Sequence, residues 1–276
     1  TGRLHVAIAE GPGFRRGWLT SATTGRSGYV QLVDLAPTAL AALDRPAPRE
    51  LFSGAIAERR GGRPGSLAAA VDRLADADRQ AGVQRVVAAR FLIILAVGQI
   101  LLFWAVLPAL HRARRTAGPV ASRPLDARVR VGAEVLLIAA ALAVPAALVA
   151  DLVPWWRQEL PGLVFAGVMI ATLAGVTSVI VVVTRRQRAV GPLGAVAALT
   201  AVAVAADVLT GARLQLNGVA GYSAATGGRY AGMGTIGLGV FAGGALLLAG
   251  ALATRAPRRW RPCVVAAVGA VGVVVV

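Results

Sequence analysis

Side chains able to bind or react are sparse in this chain, and most fall into one group. Asp151, Asp207, Arg213, Tyr222, Arg229 and Tyr230, with Arg157, Glu159, Gln215, Asn217, Ser223 and Thr226 around them, lie at or just beyond the ends of long apolar stretches. Carboxylates, guanidiniums and phenols in a glycine-rich setting suit recognition of an anionic headgroup, with Arg229 placed beside Asp207. One ion pair in a flexible connector is the plainer alternative. Gly232, Gly234, Gly237 and Gly239 continue the pattern into an apolar helix and allow close backbone approach. A second group holds Asp72, Arg73, Asp76, Asp78 and Arg79, with Asp72–Asp76 and Asp76–Arg79 at helical spacing, and reads as a solvated helix face. Gln99 is expected to hydrogen-bond between helices, and Glu134 to snorkel or pair with Arg130. No catalytic residue and no metal ligand set is assigned. His5 has no Asp partner, and Cys263, the single cysteine, permits neither an internal disulfide nor a Cys-based metal site.

The elements that position these residues are membrane helices. Hydrophobic residues make up 57% of the 276 and charged residues 15%, with a mean hydropathy of +0.68. A soluble domain is nearer half apolar and a quarter charged, so the excess must be buried in lipid. Apolar runs of about 20 residues, at about 1.5 Å rise each, match a hydrocarbon core of about 30 Å. Spans are expected at about 91–110, 131–153 (with Pro145 inside), 163–184, 190–209, 231–254 and 263–276, the last too short to cross. The fold class is therefore mainly α: a polytopic α-helical membrane bundle of five full spans and a truncated sixth, preceded by a small α/β fragment. Thr1 in place of a methionine, and a stop inside Val264–Val276, lead us to expect that both ends are cut.

The net charge of +16 comes with 29 basic residues, all arginine, and most of those outside the N-terminal segment sit at span ends. No aromatic-interleaved basic surface accompanies them, so nucleic acid is not an expected partner. Arg112, Arg114, Arg115, Arg123, Arg128, Arg130, Arg185, Arg186, Arg188, Arg255, Arg258, Arg259 and Arg261 fall on one side. Only Arg157, Arg213 and Arg229 fall on the other. This bias places the arginine side in the cytoplasm and the N-terminal segment outside, in a multi-pass plasma-membrane protein. Trp155 and Trp156 are then expected at the outer interface.

Residues 1–60 differ in texture. Leu4 to Ala9 reads as a buried strand ending at Gly11-Pro12-Gly13, and Tyr29 to Val33 as a second strand. The latter runs into Asp34-Leu35-Ala36-Pro37-Thr38 and a helical Ala39 to Leu43, with Asp34 a helix cap or strand-end residue and Pro37 a helix-start signal. Residues 61–90 read as an amphipathic juxtamembrane linker and helix that feeds the membrane domain, 91–276.

The series His5 to Phe14, then Val33 to Leu40, then Pro46-Ala47-Pro48 and Gly54, resembles the C-terminal end of the alkaline phosphatase superfamily, which includes sulfatases, nucleotide pyrophosphatases and phosphoglycerol transferases. Gly11, Pro12, Gly13, Asp34, Pro37 and Thr38 match the family motif as structural positions. The joined layout, with a loop like Gly221 to Gly234 before a late span, resembles uncharacterised actinobacterial integral membrane proteins. The resemblance implies an extracytoplasmic, metal-dependent phosphate or sulfate ester hydrolase or transferase acting on the cell envelope. Its catalytic residues and two divalent metal ions would belong to a longer parent, with no cofactor in this chain. Membrane lipids and a lipid-linked or anionic envelope substrate are the implied partners. A lipid or envelope-polymer transporter, or a non-catalytic scaffold subunit, stays open beside it. Neither substrate nor oligomeric state follows from the sequence.

Overall fold

The computed structural model describes residues 2–116, 124–184 and 190–276. The chain is a mainly α-helical membrane bundle carrying a small segment with one two-stranded sheet. In order it contains β1 (Trp18–Thr20), α1 (Leu35–Ala42), β2 (Glu58–Arg60), α2 (Leu67–Thr116), α3 (Pro124–Ala141), α4 (Ala143–Ala150), α5 (Pro161–Thr184), α6 (Val190–Leu209), α7 (Thr235–Arg255) and α8 (Arg261–Val275).

Among the described residues four helices are long and apolar enough to cross a membrane: Leu67–Ala109, Pro161–Thr184, Gly191–Leu209 and Thr235–Arg255. A bent pair, Val131–Ala141 and Ala143–Ala150, makes a fifth when it is counted as one span. The bend is 52°, where a single straight span over 131–153 was expected. Its cause is Pro145, which lacks an N–H and whose ring would meet the Ala141 carbonyl one turn back. The chain breaks at Leu142 instead. Close to the break, Gln99 on α2 donates to the Ala140 carbonyl at 3.4 Å, the interhelical bond expected of it. The juxtamembrane helix passes into the first span without a break, as one continuous α2. At 15 residues, about 22 Å, α8 is too short to cross. The expectations resting on Arg123, Arg185, Arg186 and Arg188 lie outside the described residues, as does the Arg130 side chain proposed to face Glu134.

The core gathers Phe91, Phe165, Trp155, Val204 and Phe241. Trp155 is fully buried, packed edge-on against Phe165 with ring centroids 5.4 Å apart. The expectation that it anchors at an interface is thereby corrected. Its indole N–H has a partner in Asp151, which allows the whole ring to be buried.

The N-terminal segment departs furthest from expectation. Leu4–Ala9 forms no strand, and Val6 and Ile8 are 73% and 87% exposed. A strand exists by pairing, and this stretch meets a helix instead: the Leu4 amide donates to Asp78 of α2 at 2.9 Å. Tyr29–Val33 is no strand either; the chain curls into a 3-10 turn at Leu32–Asp34. The true strands are three residues each and pair antiparallel, Trp18 opposite Arg60 and Thr20 opposite Glu58.

Asp34 is the hub of this segment. Fully buried, its carboxylate accepts from Ser21 Oγ (2.6 Å), Thr23 Oγ1 (2.7 Å), the Gln31 amide (2.8 Å) and the Ala55 amide (2.9 Å). It therefore ties three stretches of chain together and does not cap α1. Thr38 extends the seam, donating to the Asp34 carbonyl and accepting from the Ala57 amide at 2.8 Å. Gly54 is required beside it, since a Cβ there would lie 2.0 Å from the Val33 carbonyl oxygen.

Burial alone would raise the Asp34 pKa, but the hydroxyl and amide donors outweigh it and hold it below the usual 3.8. A carboxyl lowered on folding stabilises above its ordinary pKa, and that stability is lost as pH falls through the folded value. Asp34→Asn should destabilise the segment by about 1–3 kcal/mol, read as faster proteolysis of residues 45–57. Acidifying the wild type below pH 3.8 should have the same effect. Unchanged proteolysis in both would contradict the hub.

Candidate functional site

The residues singled out at Asp151 and from Asp207 to Tyr230 come together at one end of the bundle, on the connection between α6 and α7. This end also carries the N-terminal segment. A connection of this length buried against helices has backbone donors and acceptors that water cannot reach, so it must supply its own partners. Asp207, in the last turn of α6 and 4% exposed, accepts from the Leu214 amide (2.8 Å) and from the Gln215 side-chain amide (3.2 Å). Gln215 is fully buried, and its Oε1 accepts from the Gly234 amide at 2.7 Å, where α7 begins. One side chain thus joins the end of α6 to the start of α7. Its own carbonyl accepts from the Tyr222 amide at 2.8 Å, closing the intervening loop.

Asn217 and the glycines shape that loop. Asn217 adopts φ 57°, a left-handed conformation that Asn tolerates, and its Oδ1 accepts from the Ala224 amide at 2.8 Å. At Gly221 a Cβ would stand 1.9 Å from the Gln215 carbonyl oxygen, and at Gly237 one would stand 2.6 Å from Gln215 Oε1. Asp151, the first residue beyond α4, fastens the loop from the side: Oδ2 accepts from the Val219 amide (3.0 Å) and Oδ1 from Trp155 Nε1 (2.9 Å). From α2, Gln84 Nε2 donates to the Gly218 carbonyl at 3.0 Å.

The N-terminal segment is bolted to the same loop. Arg26 donates to the Gly211 and Ala212 carbonyls, both at 2.7 Å, and to the Tyr230 carbonyl. Tyr29 packs on Tyr230 with centroids 5.9 Å apart. Nearby, Asp76 of α2 holds Arg157 in a two-pronged pair, 2.9 and 2.8 Å, and accepts from Trp156 Nε1 at 3.1 Å. Asp76 and Asp78 are therefore tertiary anchors, where a solvated helix face was expected.

The expected pairing of Arg229 with Asp207 does not form. Asp207 is occupied by Leu214 and Gln215, and Arg229 donates to the Met233 carbonyl from an exposed position. Arg213 is exposed as well. Tyr222 donates to the Gly232 carbonyl (3.1 Å) and Tyr230 to the Ala224 carbonyl (3.1 Å). Burial raises the pKa of Tyr222, Tyr230 and Tyr29; for Tyr222 this prevails over the cation of Arg26, and for Tyr230 the charge of Asp34 adds to it. All three stay protonated at neutral pH, and Tyr222 and Tyr230 act as donors. Protein-family models, curated proteins and solved structures were compared with the chain, and none matches.

What remains exposed to a ligand is a pair of donors, the guanidiniums of Arg213 and Arg229, with the ring of Tyr222 near them and its O–H already given to Gly232. Asp151 and Asp207 face N–H groups, and among the described residues no three of His, Cys, Asp and Glu converge on one point. His5 is exposed, and Thr38 is engaged in the Asp34 seam. Recognition of an anion has exposed donors at this end in the Arg213 and Arg229 guanidiniums. Arg26 escaped the sequence reading because its partners lie 185 to 204 residues away and no local pattern marks it.

Gln215→Leu would strand the Gly234 amide and half of the Asp207 carboxylate, at about 1–3 kcal/mol for each group. Gly237→Ala would crowd Gln215 Oε1. Both should lower the Tm in detergent, while exposed Arg213→Ala should leave it nearly unchanged. Equal Tm values for all three variants would contradict this arrangement.

Proposed function

We propose that this chain is the membrane-anchoring part of an extracytoplasmic, metal-dependent phosphate or sulfate ester hydrolase or transferase that acts on the cell envelope. The observation that carries the reading is the rigid seating of the N-terminal segment on the bundle through Arg26, Leu4 and Tyr29. An anchor that presents a lipid-linked substrate to an enzyme domain needs such a fixed joint, because catalysis depends on positioning. The motif positions Asp34, Thr38 and Gly54 support it, each having a definite task in holding the segment. The arginine bias supports an outward-facing segment in a plasma-membrane protein. Arg213, Arg229 and Tyr222 would face the anionic group of a lipid-linked substrate.

Among the described residues, the buried carboxylates Asp34, Asp151 and Asp207 do not fit a pair of divalent ions. Asp34, Asp151 and Asp207 spend their oxygens on N–H and O–H donors. The metal-binding and catalytic residues in this reading belong to a part of the protein outside these 276 residues. A second reading, a lipid transporter, is favoured by an apolar groove of about 530 Å³ between α5 and α6, lined by Ala171, Gly175, Val176, Ala195 and Leu199.

The full-length gene product, purified in detergent, should hydrolyse bis(p-nitrophenyl) phosphate in a chelator-sensitive manner, and the 276-residue chain alone should not. Turnover by the short chain, or inactivity of the full-length protein with divalent metal supplied, would overturn the proposal.

A further inference from the structure

At the opposite, arginine-rich end, the turn between α7 and α8 carries Arg255, Arg258, Arg259, Trp260 and Arg261 within seven residues. The two helices pack as an antiparallel pair: a Cβ at Gly272, late in α8, would lie 3.9 Å from Phe241, early in α7. At 21 residues, about 31 Å, α7 traverses the hydrocarbon core, so the turn that follows lies at headgroup level. Residues Arg258–Trp260 form a 3-10 turn closed by the Trp260 amide on the Pro257 carbonyl at 2.8 Å. Pro257 and Pro262 flank it, so the three arginines and the indole sit on a stiff backbone.

The α7–α8 hairpin itself contains no Asp or Glu that could pair with Arg258, Arg259 and Arg261. The last Asp or Glu of the whole chain is Asp207, at the other end of α6. Among the described residues an ion pair joins Arg157 to Asp76, and Arg258, Arg259 and Arg261 form none. All three are exposed, and Trp260 is 53% exposed. A half-exposed indole at the foot of a span has the amphipathic character that settles at the boundary of headgroup and acyl chain. Guanidiniums beside it meet phosphate as two-pronged donors.

We infer that the Arg258–Arg261 turn is a binding site for anionic phospholipid headgroups, with the arginines taking the phosphate and Trp260 the interfacial layer. This surface is separate from the opposite end and does not depend on the function proposed above. Cys263, exposed and two residues beyond Arg261, offers a probe position without any substitution.

Protein labelled at Cys263 with an environment-sensitive fluorophore would be titrated with phosphatidylglycerol or phosphatidylcholine in neutral detergent. Phosphatidylglycerol should saturate the signal at a lower mole fraction. Changing Arg258, Arg259 and Arg261 together to Ala should weaken the response on the order of a hundredfold, about fivefold for each arginine. The triple Arg→Lys variant, which keeps the charge, should retain most of it and verify that the fold survives. Equal titration by the two lipids, an unshifted curve for the triple Ala variant, or an equal response to inorganic phosphate alone would each overturn the inference.

Discussion

Gln215 is fully buried where two membrane helices meet an irregular loop, and its amide has its donor and acceptor sides both engaged. Nearly everything at that end follows from this side chain. The connection from 210 to 234 leaves α6 and enters α7 without regular secondary structure beyond one short 3-10 turn. Burying such backbone is costly unless each polar group finds a partner. Gln215 with Asp207 supplies the partners at the helix ends, Asn217 those inside the loop, and Asp151 with Gln84 those at its flank. The glycines are consequences: Gly221 and Gly237 are where Gln215 leaves no room for a Cβ.

The same network explains why the N-terminal segment sits still. A stretch with one two-stranded sheet and one short helix buries too little to hold a unique position by its own core. It borrows order twice. Internally, a buried carboxylate collects four donors at Asp34. Externally, Arg26 reaches three carbonyls that the loop leaves facing outward. Those carbonyls are in place only because Asp207 and Gln215 have already set the chain between Gly211 and Tyr230. The segment, the loop and the helix ends thus form one interdependent unit, joined on the α2 side by Asp76 and Asp78.

The spans were legible in the sequence because lipid makes them so: a run of apolar residues long enough to cross has few other fates. Pro145 was visible too, yet its outcome, a 52° break at Leu142, depended on packing around the bend. Trp155 was misplaced for a related reason. An indole at a span end reads as an interfacial anchor unless one knows that Asp151 will turn back to take its N–H. In the N-terminal segment, Leu4–Ala9 has the composition of a strand, but a strand requires a neighbour, and the neighbour is no property of the local sequence. At the candidate site, Asp151, Asp207, Tyr222 and Tyr230 lie at one end of the bundle, as their positions at span boundaries place them. Their partners could not be read, because hydrogen bonds such as Arg26 to Gly211 join positions 185 residues apart.

Hydrogen exchange of the loop amides in the detergent-solubilised chain tests the interdependence most directly. Leu214, Val219, Tyr222, Ala224 and Gly234 donate their amides to buried acceptors. The account predicts that these amides exchange slowly, and that Arg26→Ala speeds exchange at Gly211–Leu214 as well as in the N-terminal segment. Rapid exchange of these five amides in the unaltered chain, at the rate of a free loop, would contradict it.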